Sequence, residues 1–199
     1  MEASGSVSDP NNWQQRYLTG DVPWDKGGAA PPLTEFLTTE KMNGHVLVPG
    51  CGPGHDVRAI AKTGAQVVGL DFAAEAIVIA KSFPAAGTEQ YLIGDFFQLP
   101  PEQQTAYDWV YEHTCFCAID PKRRVEYVAS VASALKSDGK FLAIFYLDPD
   151  YDGGPPYGVE VSELDALFNG AFELEREWKP KQCFPGREGR EIVRILRKR

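Results

Sequence analysis

The 199-residue sequence predicts an α/β fold: a mostly parallel sheet, helices on its faces, and a terminal antiparallel β-hairpin. Three observations predict it. Short apolar runs alternate with helical patterns from Val46 onward. The run Val46-Leu47-Val48-Pro49 leads straight into a glycine-rich turn and then a helical pattern. After Gly170 two strand-like runs follow each other with no helix between them, and consecutive strands joined by a loop alone must pair antiparallel.

The first dozen residues are polar and are expected to form a flexible N-terminus (1–12). A single domain follows over 13–199, with an N-terminal segment (13–42) ahead of a Rossmann-like core (43–199). Strands are predicted at Val46–Pro49, Gln66–Leu70, Gln90–Ile93, Trp109–Tyr111 and Phe141–Leu147. Helices are predicted at Leu33–Met42, Asp56–Lys62, Ala73–Ser82 and Pro121–Lys136. The last is the best marked: Asp120 can cap it, Pro121 suits its first position, and Asp138-Gly139 ends it. Val125, Val128, Ala129, Ala132 and Leu135 would form its apolar face. A short helix should start at Ser162, where Ser162-x-x-Asp165 has the form of a capping box. Ala171–Trp178 and Glu191–Leu196 complete the sheet around a Pro/Gly-rich loop from Pro180 to Gly189.

Composition narrows the function. A net charge of -8 argues against a nucleic-acid substrate, because phosphates call for a basic surface. The basic terminal run Arg194–Arg199 is short and reads as a solvated strand end. The N-terminal residues lack the basic start and apolar core of a signal peptide, and no apolar run reaches about 18 residues. The expectation is a cytoplasmic protein acting on a small, freely diffusing acceptor, without membrane or nucleic-acid partners; a monomer is compatible with this. Cys51, Cys115, Cys117 and Cys183 form no C-x-x-C pair, so no metal is implied and reduced thiols are expected.

The chemistry concentrates in the turn Gly50-Cys51-Gly52-Pro53-Gly54. Glycines there let the backbone turn sharply and approach a ligand without a Cβ in the way. Asp71 ends the next strand, 21 residues after Gly50, where an acid accepts hydrogen bonds from ribose hydroxyls. A dinucleotide fingerprint would require glycine at position 55, and His55 stands there. That departure and the terminal hairpin favour S-adenosylmethionine over NAD, and a class I methyltransferase sheet over an ordinary dinucleotide fold. Asp95, after the third strand, can accept from an adenine amino group while Phe96 packs on the ring. Its alternative role is to cap a turn. Phe97 reads as core.

Several blocks also resemble the thiopurine methyltransferase superfamily, most closely its plant-type halide/thiol branch. They are Trp13-x-x-x-Tyr17-x-x-Gly20-Asp21-Val22-Pro23-Trp24-Asp25, Val48-Pro49-Gly50-Cys51-Gly52-Pro53-Gly54-His55-Asp56, Gly69-Leu70-Asp71, Cys117-Ala118-Ile119-Asp120-Pro121 and Gly153-Gly154-Pro155-Pro156-Tyr157. The resemblance implies S-adenosylmethionine-dependent methylation of small soft nucleophiles: thiols, bisulfide, thiocyanate or halides. It places Trp13, Tyr17 and Trp24 as a lid over the cofactor, with Gly50, Asp71 and Asp95 below it; Gly52, Phe96 and Glu112 are further candidate contacts. Tyr157 would face the methyl group from the acceptor side, and Tyr17 would serve both lid and chemistry.

Methyl transfer from a sulfonium is an in-line displacement that profits from alignment and from exclusion of water, so aromatic side chains in an otherwise polar segment suit a lid. They could equally staple the N-terminus to the core. His113, at the end of the fourth strand, reads either as a general base toward a thiol or as a structural histidine. In the plant branch a tyrosine is expected there, which leaves the choice of anion open. Arg16 reads as an anion attractor or as a surface arginine. The segment Tyr111-Glu112-His113-Thr114 lacks the Pro-Pro-aromatic motif of enzymes that methylate base amines. Alternative readings are a bulky aromatic-thiol (thiopurine) methyltransferase, a non-catalytic cofactor-binding module and an NAD-dependent oxidoreductase.

Overall fold

A computed structural model describes residues 10–150 and 153–199. Seven strands form one sheet in the order β3-β2-β1-β4-β5-β7-β6. They are β1 (His45–Pro49), β2 (Gln66–Asp71), β3 (Gln90–Ile93), β4 (Tyr107–His113), β5 (Leu135–Tyr146), β6 (Phe172–Trp178) and β7 (Glu191–Lys198). The first five run parallel, and β7 is antiparallel to both β5 and β6. The expected α/β sheet with a terminal antiparallel hairpin is therefore present.

Strand alternation divides the core between the two faces. Val46 and Val48 of β1, with Leu142 and Ile144 of β5, join α2 (Pro31–Thr39) and α3 (His55–Ala61) on one side. Leu47, Phe141, Ala143 and Phe145 point the other way, into an aromatic cluster with Phe116, Tyr127 and Phe168. That cluster lies under α5 (Arg124–Ala134) and α6 (Val161–Phe168). No helix among the described residues is long and apolar enough to cross a membrane.

Several boundaries differ from the sequence reading. Helix α1 (Pro10–Thr19) already begins inside the segment expected to be a flexible N-terminus; residues 1–9 of that segment lie outside the described residues. The helix expected over Leu33–Met42 runs from Pro31 to Thr39. The one expected over Pro121–Lys136 opens as a 3-10 turn at Pro121–Arg123, where the Asp120 carboxylate accepts from the Lys122 N–H. It ends at Ala134 because the N–H groups of Thr105 and Ala106 take the Ser133 and Ala134 carbonyls, and the chain continues as β5. Its buried face is also rotated by one position from expectation: Arg124, Tyr127, Val128, Val131 and Ala134 are buried, while Val125 is 70% exposed. Helix α6 begins at Val161, and no side chain caps it, so the capping box at Ser162 does not form.

The strand order places the helical connections of β1 and β4 on opposite sides of their junction. That opens a crevice above the C-terminal ends of β1, β2 and β4. The N-terminal helix crosses toward this end and packs on α4 (Ala74–Ser82), with the Gln14 side-chain oxygen accepting from the Glu75 N–H at 3.0 Å.

Candidate active site

A cavity of about 480 Å³ occupies the crevice, within the roughly 300–1,000 Å³ usual for small-molecule sites. Its floor on one side is the glycine turn. Gly50, Gly52 and Gly54 have φ of +59°, +50° and +74°, a region that costs a side-chain-bearing residue energy. Space forbids a Cβ as well: one on Gly52 would lie 2.8 Å from the Tyr17 hydroxyl, and one on Gly50 2.8 Å from Cys115 Sγ.

Asp71, at the end of β2, locks this turn. One carboxylate oxygen accepts from the Gly52 N–H and the other from the Ala73 N–H, each at 2.9 Å. Burial raises its pKa, and these backbone donors oppose the rise. Each oxygen retains a lone-pair position, so the carboxylate can still accept a hydroxyl proton from the cavity side. Asp95 also lines the cavity, but its carboxylate caps the short turn Phe96–Gln98 by accepting from the Phe97 N–H at 2.8 Å and from Gln98 Nε2 at 3.2 Å. The capping alternative is thus realised, on the cavity wall.

Tyr17 and Trp13 stand one turn apart on α1 and meet Trp24 from the following loop. Trp24 packs edge-on to both rings, with centroids 4.9 Å from Trp13 and 5.6 Å from Tyr17, and its Nε1 donates to the Tyr17 hydroxyl at 3.0 Å. All three line the cavity. Burial, with Asp71 nearby, keeps the Tyr17 hydroxyl protonated far above its ordinary range. Arg16 also lines the cavity; it stacks over Trp24 at 4.3 Å and pairs with Asp21 at 3.0 Å.

The opposite wall comes from the ends of β4 and β5 and from the loop before β7. His113, at the end of β4, lines the cavity between charges of both signs. Its Nδ1 lies 3.4 Å from Asp56 Oδ2, and its Nε2 lies 3.2 Å from an Arg187 amine and 3.8 Å from Glu191 Oε1. Burial alone would lower its pKa; the hydrogen bonds to Asp56 and Glu191 outweigh that and hold it at about 9. Both ring nitrogens thus face groups of the wall itself, Nδ1 toward Asp56 and Nε2 toward the Arg187 amine. Arg187 lies over the Tyr146 ring at 4.5 Å and donates to Glu191 at 3.0 Å. Phe184 and Pro155 add apolar surface on this side.

Two expected contacts lie elsewhere. Glu112 is 1% exposed and sits behind the wall, where its carboxylate accepts from the Phe116 N–H and the Tyr127 hydroxyl. Burial raises its pKa to about 7 against those donors. Because side chains alternate along a strand, Glu112 points away from the face that His113 presents to the cavity. Tyr157 is held by its backbone, its N–H donating to the Cys117 carbonyl at 2.7 Å, and its ring packs on Gly154 rather than on the cavity. Phe96 is buried among Tyr127 and its neighbours, though it reaches the cavity; Phe97, read as core, is the more exposed of the two and carries Arg123 over its face at 3.8 Å. Sequence reasoning missed Arg187 and Phe184, which sit in a Pro/Gly-rich loop with no motif, and Asp56, whose proximity to His113 only the fold creates.

The described residues contain no cluster of His, Cys, Asp or Glu able to hold a metal ion. Burial keeps the thiols of Cys51, Cys115 and Cys117 protonated, that of Cys117 up to about 12.

The family model "Thiopurine S-methyltransferase (TPMT)" matches residues 8–192. The chain belongs to the thiopurine S-methyltransferase family. Among relatives of this family member, Thiocyanate methyltransferase 1 of Brassica oleracea is 36% identical over 79% of this chain and 71% of its own length. Thiocyanate methyltransferase 1 of Arabidopsis thaliana is 33% identical over 92% and 82%. Thiopurine S-methyltransferase of Aliivibrio fischeri is 28% identical over 79% and 82%. The fold matches 1,6-didemethyltoxoflavin-N1-methyltransferase of Burkholderia thailandensis, solved with S-adenosylhomocysteine, at a TM-score of 0.73 and 17% identity over 100% of this chain and 93% of that one. This family member is an S-adenosylmethionine-dependent methyltransferase with the class I fold, as the glycine turn and hairpin predict.

The site fits that cofactor. The glycine turn leaves backbone open to the cavity where a Cβ would intrude, Asp71 offers a ribose acceptor at the end of β2, and the aromatic group of Trp13, Tyr17 and Trp24 offers faces to a sulfonium.

Proposed function

We propose that this methyltransferase acts on small soft nucleophiles: thiols, bisulfide, thiocyanate or halides. The observation that carries the reading is the acceptor wall, where two cationic groups, His113 and Arg187, face the cavity and the nearby carboxylates of Asp56 and Glu191 are engaged with them. Such a wall holds an anion and offers no free base. A nucleophile that arrives charged, or a thiol whose ionisation the cations favour, needs none.

Bound S-adenosylmethionine supplies an electrophilic methyl group on a positively charged sulfur. The chain's part is to align the nucleophile and to keep water away. Trp13, Tyr17 and Trp24 cover the cavity on one side, and Phe184 and Pro155 border it on the other, so an anion entering from water exchanges its hydration shell for fixed cationic donors. The net charge of -8 fits a diffusing small acceptor better than a nucleic acid. The names of the plant relatives, thiocyanate and thiol methyltransferases, support the same class.

The test is a panel of iodide, thiocyanate, bisulfide and an aromatic thiol with purified protein. S-adenosylhomocysteine is followed together with headspace gas chromatography of methylated product. The reading expects volatile methyl product and a higher kcat/KM for the small anions than for the bulky thiol. Absence of S-adenosylhomocysteine across the panel refutes it, and a strong preference for thiopurines would move this chain to the bulky-thiol branch of its family.

A further inference from the structure

His55 stands where a dinucleotide fingerprint would require glycine. It opens α3, directly after the glycine turn, with Asp56 beside it. Its Nδ1 lies 3.1 Å from an Arg58 amine. A guanidinium can only donate, so Nδ1 is the acceptor and the ring proton sits on Nε2. That Nε2 lies 3.1 Å from Asp25 Oδ1, and Asp25 stands one residue after Trp24 of the aromatic cover. Arg58 is itself fixed: its other amine donates to the Pro53 carbonyl at 2.9 Å, and its guanidinium lies over Phe83 at 4.3 Å. The tautomer and direction of the His55 ring are therefore set from beneath, and the ring offers one donor to the covering segment.

Asp56 reaches the same segment on one side and the acceptor wall on the other. Its Oδ1 accepts from the Ala30 N–H at 2.7 Å, where the segment enters α2. Its Oδ2 accepts from the Tyr111 hydroxyl at 3.1 Å and faces His113 Nδ1 at 3.4 Å. Two adjacent side chains thus hold both ends of residues 25–30 and one cation of the acceptor wall.

We infer that His55 and Asp56 are positioning residues for methyl transfer: His55 holds the aromatic cover over the cofactor through Asp25, and Asp56 ties the base of that cover to His113. The inference about His55 stands on the cofactor assignment alone. The role of His113 toward the acceptor rests on the reading under Proposed function.

The first test is a cycle of His55→Phe, Asp25→Ala and the double variant, with S-adenosylhomocysteine affinity measured by calorimetry on the full chain. Phenylalanine keeps a ring against Phe83 and removes both nitrogens. Each single variant should weaken binding at least about tenfold, Asp25→Ala the more because it also frees the Gly27 N–H, and the double variant no further than Asp25→Ala alone. Backbone amides of residues 22–28 should exchange faster in His55→Phe. Unchanged affinity in the singles overturns the link, as does a double variant weakened by the product of the two. Asp25→Ala keeps the test alive if His55→Phe does not fold.

The second test is the NMR titration of His113 in Asp56→Asn. Asparagine still accepts from Ala30 and loses its charge. The groups facing His113 are Asp56 from α3, Glu191 from β7 and Arg187 from the preceding loop; Glu112, next to it on β4, points to the other face and acts only through its charge. With Asp56 neutral, the titration midpoint should fall by at least one pH unit; an unmoved midpoint overturns the tie. Neither measurement uses an acceptor, so both can succeed while the acceptor panel fails, and the reverse.

Discussion

The two halves of the cavity are built in different ways. The side that fits the cofactor rests, beneath its aromatic cover, on backbone: a left-handed glycine turn and a carboxylate whose two oxygens are taken by main-chain N–H groups two and nineteen residues away. The acceptor half is made of side chains brought from distant segments, with His113 facing Asp56 across 57 residues and Arg187 across 74. The first is fixed by main-chain hydrogen bonds and by backbone angles that glycine adopts readily. The second is a set of balanced charges, which a single substitution can retune. A scaffold arranged this way can change acceptors while keeping its cofactor.

The largest effect expected from breaking one half alone is at Asp71. Asp71→Ala leaves the Gly52 and Ala73 N–H groups without partners in a buried place, each costing about 1–3 kcal/mol. Affinity for S-adenosylhomocysteine should fall about 100-fold, near 2.7 kcal/mol, while the acceptor KM at saturating cofactor changes little. Equal losses in both would mean the halves are not independent. Gly52→Ala follows, with about a tenfold loss of cofactor affinity and 1–2 kcal/mol of stability in urea unfolding. Its Cβ would press on the Tyr17 hydroxyl from a backbone that only glycine adopts readily. Normal binding in that variant would place the cover somewhere other than on Tyr17.

The same contrast decides what the sequence reveals. A turn that demands glycine at three positive-φ positions leaves its demand in consecutive letters, and Asp71 follows at a fixed strand length. The hairpin was legible too, since two strands without a helix between them have one way to pair. Arg187 was not, because a basic residue in a Pro/Gly-rich loop looks like surface until the β6–β7 hairpin folds it over Tyr146. Helix α5 shows a subtler failure. Its apolar letters fit a face beginning at Val125, but the fold buries Arg124 instead, where its guanidinium donates to the Gly158 carbonyl at 2.8 Å and to Glu163 at 2.8 Å. Periodicity counts apolar residues and cannot see a buried charge that has found partners.

On the acceptor side the expected effects are smaller and depend on pH. Arg187→Met should raise the thiocyanate KM about tenfold and leave S-adenosylhomocysteine affinity within twofold. Steady-state kinetics at fixed saturating cofactor reads this directly, and an unchanged KM would remove Arg187 from anion binding. His113 gives the pH dependence. Its pKa of about 9 lies above the ordinary 6.5, so its imidazolium adds stability that is fully present below pH 6.5 and is lost as pH rises toward 9. On the proposed reading of the acceptor, the same proton completes the wall that holds the anion. For thiocyanate, which does not titrate in this range, kcat/KM should therefore hold to about pH 8 and decline through 9. A flat profile to pH 10 would mean that His113 carries no charge the acceptor feels.

Tyr157→Phe marks the small end. If this hydroxyl touched the acceptor, its loss would change kcat/KM unequally across the panel. The structure instead fixes Tyr157 through its backbone, between the Cys117 carbonyl and the Arg124 guanidinium, with the ring on Gly154. Removing one oxygen from that position should alter kcat/KM by less than about twofold for every acceptor, and Tm by no more than a degree or two. Arg124→Met, which frees the carbonyls of Tyr157 and Gly158, should do more to acceptor kinetics than the loss of the hydroxyl. The opposite ranking would bring the Tyr157 side chain into the acceptor half and require the 153–158 segment to turn its ring inward when an acceptor binds.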